Sequence, residues 1–169
     1  MTIKQNKELR IWSNSLSEKE PIAKKYIYSD LGCNGNNISP HLEWGGAPNG
    51  TKSFAIIAFD PDAPTKTGWC HWGVINIPSN ITKIEEGASN NNSLPANARE
   101  TLTSYGEHKY GGPCPPKGDN PHRYIFSVYA IKEEALNFDQ SLRPEMYIKK
   151  IEENSIGKAQ IVFKYGRSK

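Results

Sequence analysis

Apolar positions come in short runs along this chain, and their spacing separates several strands from one well-marked helix. Ser53 to Phe59 and Trp72 to Ile77 are β-branched and aromatic runs bounded by turn residues, the pattern of strands. His122 to Ile131 is longer. Tyr124, Phe126, Val128 and Ala130 fall on one face, and Ile125, Ser127, Tyr129 and Ile131 on the other. Both faces are largely apolar, as a central strand covered on each side requires. Ala159 to Tyr165 reads either as a closing strand or as the continuation of a helix. The helix begins at Pro144, a residue suited to the first helical position. Met146, Tyr147, Ile148 and Ile151 mark its apolar stripe, Lys149, Lys150, Glu152 and Glu153 its polar one, and Gly157 its predicted stop. Asn90 to Ser93 is a polar loop tip, predicted mobile and without function. No internal repeat or long linker interrupts the chain. The prediction is one domain over residues 1–169: mostly β, an antiparallel, Greek-key-like β-sandwich with a few short peripheral helices.

Composition narrows the function classes. With 169 residues, 36% hydrophobic and 23% charged, the chain suits a folded domain and excludes disorder along most of its length. The formal net charge of +3 is too mild for a nucleic-acid binder, and the lysines are scattered. The longest strongly apolar run, Phe54 to Phe59, is far short of a membrane span, which needs roughly 20 residues. Met1 to Glu8 holds no apolar stretch that could form the core of a signal peptide, so the expected location is the cytoplasm. Cys33, Cys70 and Cys114 are an odd, widely spaced set, predicted to be reduced thiols used as small apolar residues rather than a disulfide framework.

Two blocks carry the candidate chemistry. Asp60-Pro-Asp-Ala-Pro64 must end the strand before it, because Pro61 lacks a donor. Asp62 between the prolines reads as a turn former. The next strand starts near Trp69-Cys-His-Trp72, so the short connection places Asp60 and His71 at one rim of the sheet, with Asp60 expected to orient His71. The second block runs from Tyr110 to Tyr124, where prolines and glycines stiffen a loop that leads straight into His122. Alternation sends His122 and Tyr124 to one face and Arg123 to the other, to meet a carboxylate there. Two imidazoles, a tyrosine and exposed backbone N–H groups would suit a small anion such as phosphate. Trp12 and Trp44 read as packing residues, and His41 and His108 as exposed loop residues.

These blocks resemble the paired signatures of the phosphatidylethanolamine-binding proteins: Asp60-Pro-Asp-Ala-Pro64 with Trp69 and His71, and Gly112-x-Cys-Pro-Pro-Lys-Gly with His122-Arg-Tyr124. Ser39-Pro-His-Leu-Glu-Trp44 is similar to an early element of that family, and Ala159 to Arg167 resembles its shorter prokaryotic branch. The resemblance implies a β-sandwich with a preformed cavity for phosphate, acetate or phospholipid headgroups. It maps the ligand site onto Asp60, Trp69, His71, Gly112, Pro116, His122 and Tyr124. It also implies a dimer, and an alternative role as an inhibitor or scaffold for a protein kinase or serine protease. Two departures weigh against kinase inhibition of the animal kind. Cys70 replaces a histidine seen beside the tryptophan in animal members, and the segment that borders their pocket at the C-terminus is missing.

Other chemistries have less support in the sequence. Cys114 between two prolines would be a nucleophile or redox sensor if its thiolate were stabilised, but prokaryotic members often carry cysteine there without a known reaction. Asp60, Asp62, His71 and His122 are acceptable zinc ligands, yet no short His-x-x-x-His or Cys-x-x-Cys spacing holds two on one element. An Asp–His general base lacks a nucleophile, and neither Gly-x-Ser-x-Gly nor a phosphate loop is present. The expectation is non-catalytic binding of a small anionic or phosphorylated ligand, with a regulatory role, without cofactor, metal, nucleic acid or integral membrane association.

Overall fold

The computed structural model describes residues 8–169. Strands β1 (Arg10–Trp12), β2 (Leu42–Gly45) and β5 (Lys83–Ile84) form a three-stranded sheet in the order β1-β2-β5. Strands β3 (Ser53–Asp60), β4 (Trp69–Pro78), β6 (Arg99–Glu100), β7 (His122–Ile131) and β8 (Ser155–Tyr165) form a five-stranded sheet in the order β6-β4-β3-β7-β8. Every pairing within both sheets is antiparallel.

The alternation of β3 and β7 explains why the larger sheet is covered on both faces. Phe54, Ile56 and Ala58 of β3, with Phe126, Val128 and Ala130 of β7, face the smaller sheet and pack with Leu42, Trp44 and Ile84. Ala55, Ile57, Tyr129 and Ile131 face the other way and pack under helix α1 (Pro144–Glu153), whose Tyr147 and Ile151 are fully buried. The antiparallel sandwich predicted from the runs is thus the fold observed, and β7 has the bounds its pattern gave.

The end of α1 differs from the prediction. The helix stops at Glu153, and Gly157 lies inside β8, opposite Ala130. A Cβ at Gly157 would lie 3.2 Å from the ring of Pro48, so this glycine serves strand packing. The closing segment is a strand along its full length, paired with β7. The Asn90 tip is also tied down: its side chain accepts from the Ser39 N–H at 3.0 Å and donates to the Asn37 carbonyl at 3.0 Å.

One irregularity in the β3–β4 ladder matters for everything that follows. Phe59 pairs with Cys70 and Ala58 with Trp72, leaving His71 as the extra residue of a β-bulge. Strict alternation would put Cys70 and Trp72 on one face. Instead Cys70 joins the core beneath α1 and Trp72 the core between the sheets. The bulge therefore gives the adjacent residues His71 and Trp72 to the same side. Beyond it, residues 101–111 run along the open edge of β4, with Ser104 N–H on the Cys70 carbonyl and Gly111 N–H on that of His71.

Candidate functional site

At the end of the inter-sheet core, where β3 stops and β4 and β7 begin, a cavity of about 220 Å³ replaces packed side chains. Asp60, Trp69, His71, Tyr105, His122 and Tyr124 line it, with Leu31, Cys114, Pro115, Pro116 and the turn Ala63–Thr65 around the mouth. Sequence periodicity accounts for most of this. His122 and Tyr124 continue the face of Phe126, and Asp60 continues that of Ala58. His71 arrives through the bulge.

His122 is held between two carboxylates. Its Nδ1 lies 2.6 Å from Asp60 Oδ2 and its Nε2 2.9 Å from Asp119 Oδ2. Carboxylate oxygens accept, so both ring nitrogens donate and the ring is an imidazolium. Burial opposes this charge, but the bonds to Asp60 and Asp119 outweigh it and raise the pKa above the ordinary histidine value. Asp60 also accepts from the Asp62 N–H at 2.8 Å. Asp62 in turn binds Arg123 through both carboxylate oxygens, at 2.9 and 3.0 Å, on the exposed side of the strand. The guanidinium holds the Asp62 carboxyl down to about 2. Arg123 thus meets a carboxylate away from the cavity, as alternation predicts, and Asp62 combines turn and ion pair.

His71 is in a different state. Its Nδ1 lies 2.8 Å from the Gly111 carbonyl and 3.1 Å from that of Gly112, which can only accept. Nδ1 therefore carries the proton. Burial pulls the pKa down to about 4, against the opposing pull of those carbonyls and of Asp60, so the ring is neutral near pH 7. Its Nε2 presents a lone pair and has no partner among the described residues. The Tyr124 hydroxyl is likewise buried without a partner. Aromatic contacts fix the walls: Trp69 meets the edge of Tyr105 at 5.3 Å, and Tyr105 stacks on Tyr28 at 4.0 Å. Among the described residues, no lysine or arginine lines the cavity, and its charged members, Asp60 and His122, form a pair.

The cysteine prediction is overturned. Cys33 and Cys114 form a disulfide with Cα atoms 5.8 Å apart, and only Cys70 is free, deep in the core with its thiol pushed up to about 11 by burial. The partners are 81 residues apart in sequence, and the loops that carry them are joined by Tyr28 N–H on the Pro113 carbonyl and the Tyr110 hydroxyl on the Tyr26 carbonyl. With its sulfur bonded, Cys114 is no free thiolate nucleophile.

The match to the family model of phosphatidylethanolamine-binding proteins runs over residues 12–166. The chain belongs to the phosphatidylethanolamine-binding protein family. Within it, the UPF0098 protein YbcL of Escherichia coli K12 is 40% identical over 154 residues, covering 90% of this chain and 84% of YbcL. The UPF0098 protein YbhB of the same organism is 36% identical over 154 residues, covering 90% of this chain and 97% of YbhB. The crystal structure of E. coli YbcL superposes with a TM-score of 0.90 at 39% identity, over 94% of this chain and 98% of that one. These relatives place the chain in the prokaryotic-type branch. A carboxypeptidase Y inhibitor, solved in complex with its cognate proteinase, shares the fold alone, with a TM-score of 0.50 at 22% identity over 76% of this chain and 70% of that one.

The phosphatidylethanolamine-binding protein signatures bring six of the seven predicted site residues to the cavity: Asp60, Trp69, His71, Pro116, His122 and Tyr124. Two predicted roles change. Asp60 bonds His122 rather than His71, because the bulge turns Nδ1 of His71 toward the 111–112 carbonyls. Gly112 stands behind the wall. Its N–H, expected to face an anion, donates to Asn37 Oδ1 at 2.7 Å, and its carbonyl accepts from Tyr105 Oη at 2.7 Å. A Cβ there would lie 2.1 Å from the Tyr26 carbonyl oxygen, so the glycine permits the close backbone approach that seals the cavity. Sequence reasoning missed Leu31, Tyr105 and Asp119; only the aromatic ring of Tyr105 among small and polar neighbours signals anything locally. His41, expected exposed, is buried, with Nδ1 accepting from the Asn14 N–H at 2.9 Å. His108 is exposed as predicted.

Among the described residues, no three His, Cys, Asp or Glu side chains converge to hold a metal ion, and no helix is long and apolar enough to cross a membrane.

Proposed function

We propose that the protein binds, without chemical conversion, a small phosphorylated or carboxylated group that enters the cavity carrying one proton. The observation that carries this reading is a pair of polar groups at the cavity: the Nε2 lone pair of His71, which has no partner among the described residues, and the buried, unpartnered hydroxyl of Tyr124. Buried polar groups cost stability unless paired. A phosphate P–OH or a carboxylic acid supplies both a donor for Nε2 and an acceptor for the hydroxyl. A bare dianion suits the site poorly, since its one cation, His122, is already paired with Asp60 and Asp119, and the Asp60 carboxylate is near. Membership of the phosphatidylethanolamine-binding protein family supports ligand binding in general.

Calorimetric titration with O-phosphoethanolamine, inorganic phosphate and acetate tests this. Tyr124→Phe and His71→Asn should each weaken binding about tenfold or more, the worth of one hydrogen bond to a charged group. Because the second phosphate ionisation lies near pH 6, affinity should fall about tenfold per pH unit above roughly pH 7. Binding unaffected by either substitution would place the ligand elsewhere.

A second reading is a protein partner, such as a protease or kinase, bound through the surface loops. The complex formed by the carboxypeptidase Y inhibitor, a protein of this fold, supports it. Stoichiometric inhibition that survives His71→Asn would favour it. On location, the disulfide favours an oxidising compartment over the cytoplasm expected from the N-terminal residues.

A further inference from the structure

The disulfide ties the loop that carries Leu31 to Cys114, both of them lining the cavity, and its attachments are lopsided. On one side Cys114 belongs to a rigid wall. The Pro115 carbonyl accepts from Arg167 Nε at 2.7 Å, Gly118 N–H donates to the Arg167 carbonyl at 2.9 Å, and Lys117 bridges to Arg167. On the other side Cys33 belongs to the tip of a loop, residues 29–34. The base of that loop is pinned: Tyr28 N–H donates to the Pro113 carbonyl at 3.1 Å, Tyr28 stacks on Tyr105, and Asn37 Nδ2 donates to the Tyr110 carbonyl at 3.2 Å.

The tip has no such polar anchors, and only Cys33 within it packs against the edge of the core. Its hydrogen bonds are local, from Leu31 N–H to Asp30 Oδ1 and from Cys33 N–H to the Asp30 carbonyl, both within the tip itself. Among the described residues, nothing polar apart from the Cys114 sulfur joins it to the opposite wall. Yet the tip supplies Leu31, which lines the cavity while 68% exposed and holds a left-handed φ of 55°, unfavourable for a branched side chain. Both bridged cysteines are only half-buried, within reach of a reductant.

We propose that the Cys33–Cys114 disulfide is a redox-controlled latch on the cavity mouth. A dithiol reductant breaks the S–S bond. Two electrons and two protons pass to the cysteines as thiols, and the reductant leaves as its own disulfide. The tip is then free to leave its strained conformation, taking Leu31 off the rim, while the pinned base and the Cys114 wall stay in place. Water reaches the ligand site and a bound ligand escapes faster. Only the ligand arm of the test rests on the function proposed above.

The test uses the full chain, oxidised and after dithiothreitol, together with Cys33→Ser/Cys114→Ser and the disulfide-intact Leu31→Ala. Reduction should shift amide resonances in residues 29–34 and at Cys114, Lys117 and Tyr105, and leave the remaining strands unchanged. Affinity for O-phosphoethanolamine should fall about threefold to tenfold on reduction, and similarly in Leu31→Ala, as expected for loss of one partly buried leucine contact. Unshifted tip amides would overturn the latch, and so would spectral change throughout the sheets, which would mark a global staple. Oxidised wild type that binds no phosphate compound would instead refute the ligand reading, with the amide arm still deciding whether the tip is released.

Discussion

His71 should make the protein sensitive to mild acid, in a window set by its own burial. In the folded state its pKa is about 4, against an ordinary value of 6.5. Between these values the unfolded chain binds a proton that the native state refuses. Stability from this group is therefore fully present above pH 6.5 and is lost as pH falls toward 4. The whole difference is worth about 3 kcal/mol, and about 2 kcal/mol should already be gone at pH 5.0. With a urea m-value of about 2 kcal/mol per molar, the midpoint should drop by about 1 M between pH 7.5 and pH 5.0. Other groups act in the same range, so the comparison must be made within a pair of proteins. The raised pKa of His122 contributes stability that is complete below pH 6.5 and is lost only as pH rises through its folded value. Burial raises the Glu100 pKa, which favours the native state as pH falls toward 4.5. Asp62 and Glu86, each held at about 2 by its cationic neighbour, lose their contributions only below the pH range used. His71→Asn keeps a donor for the Gly111 carbonyl and removes the titration. Urea midpoints of the two proteins should converge by about 1 M as pH falls to 5.0. Parallel curves would refute the argument.

Three further outcomes follow from contacts already described. Asp60→Asn leaves the buried His122 without its 2.6 Å carboxylate partner and should cost about 3–5 kcal/mol at pH 6, a cost that shrinks as pH rises through the folded His122 pKa; urea denaturation across this pH range checks it. Reducing the disulfide releases a closure of 81 residues, worth up to about 4.5 kcal/mol in the unfolded-chain model, so calorimetry should show Tm lower by about 10 °C. Gly112→Ala forces a methyl group to within 2.1 Å of a backbone oxygen and should cost at least about 2 kcal/mol in urea denaturation, whereas Gly106→Ala, with nothing near its Cβ position, should cost less despite its φ of 83°.

What could be read from the sequence follows from how each feature is encoded. β3, β4 and β7 carry dense β-branched and aromatic runs, and Pro144 marks the start of α1, so these elements are legible locally. β1, β2, β5 and β6 hold four residues or fewer and owe their existence to partners remote in sequence. Asp60, His71, His122 and Tyr124 were legible because alternation and turn chemistry put them at strand ends, and Trp69 and Pro116 were legible only through the family resemblance. Their partnerships were not. A single bulge at His71, a matter of register between two strands, decides that Asp60 serves His122 and that the carbonyls of Gly111 and Gly112 fix the His71 tautomer. The disulfide is hidden for the same reason: spacing along the chain says nothing about two loops that meet only after the sheets have packed.

Ligand binding as proposed rests on the His71 Nε2 lone pair receiving a proton-bearing group. Long-range ¹H–¹⁵N spectra of the imidazole at pH 7, with and without O-phosphoethanolamine, test it most directly. The free protein should show an unprotonated, pyridine-type Nε2 that moves upfield at saturation, by less than full protonation would shift it, as it accepts a hydrogen bond from the ligand, with Nδ1 unchanged. A ring already protonated at Nε2 in the free protein, or an Nε2 signal indifferent to saturating ligand, would contradict it.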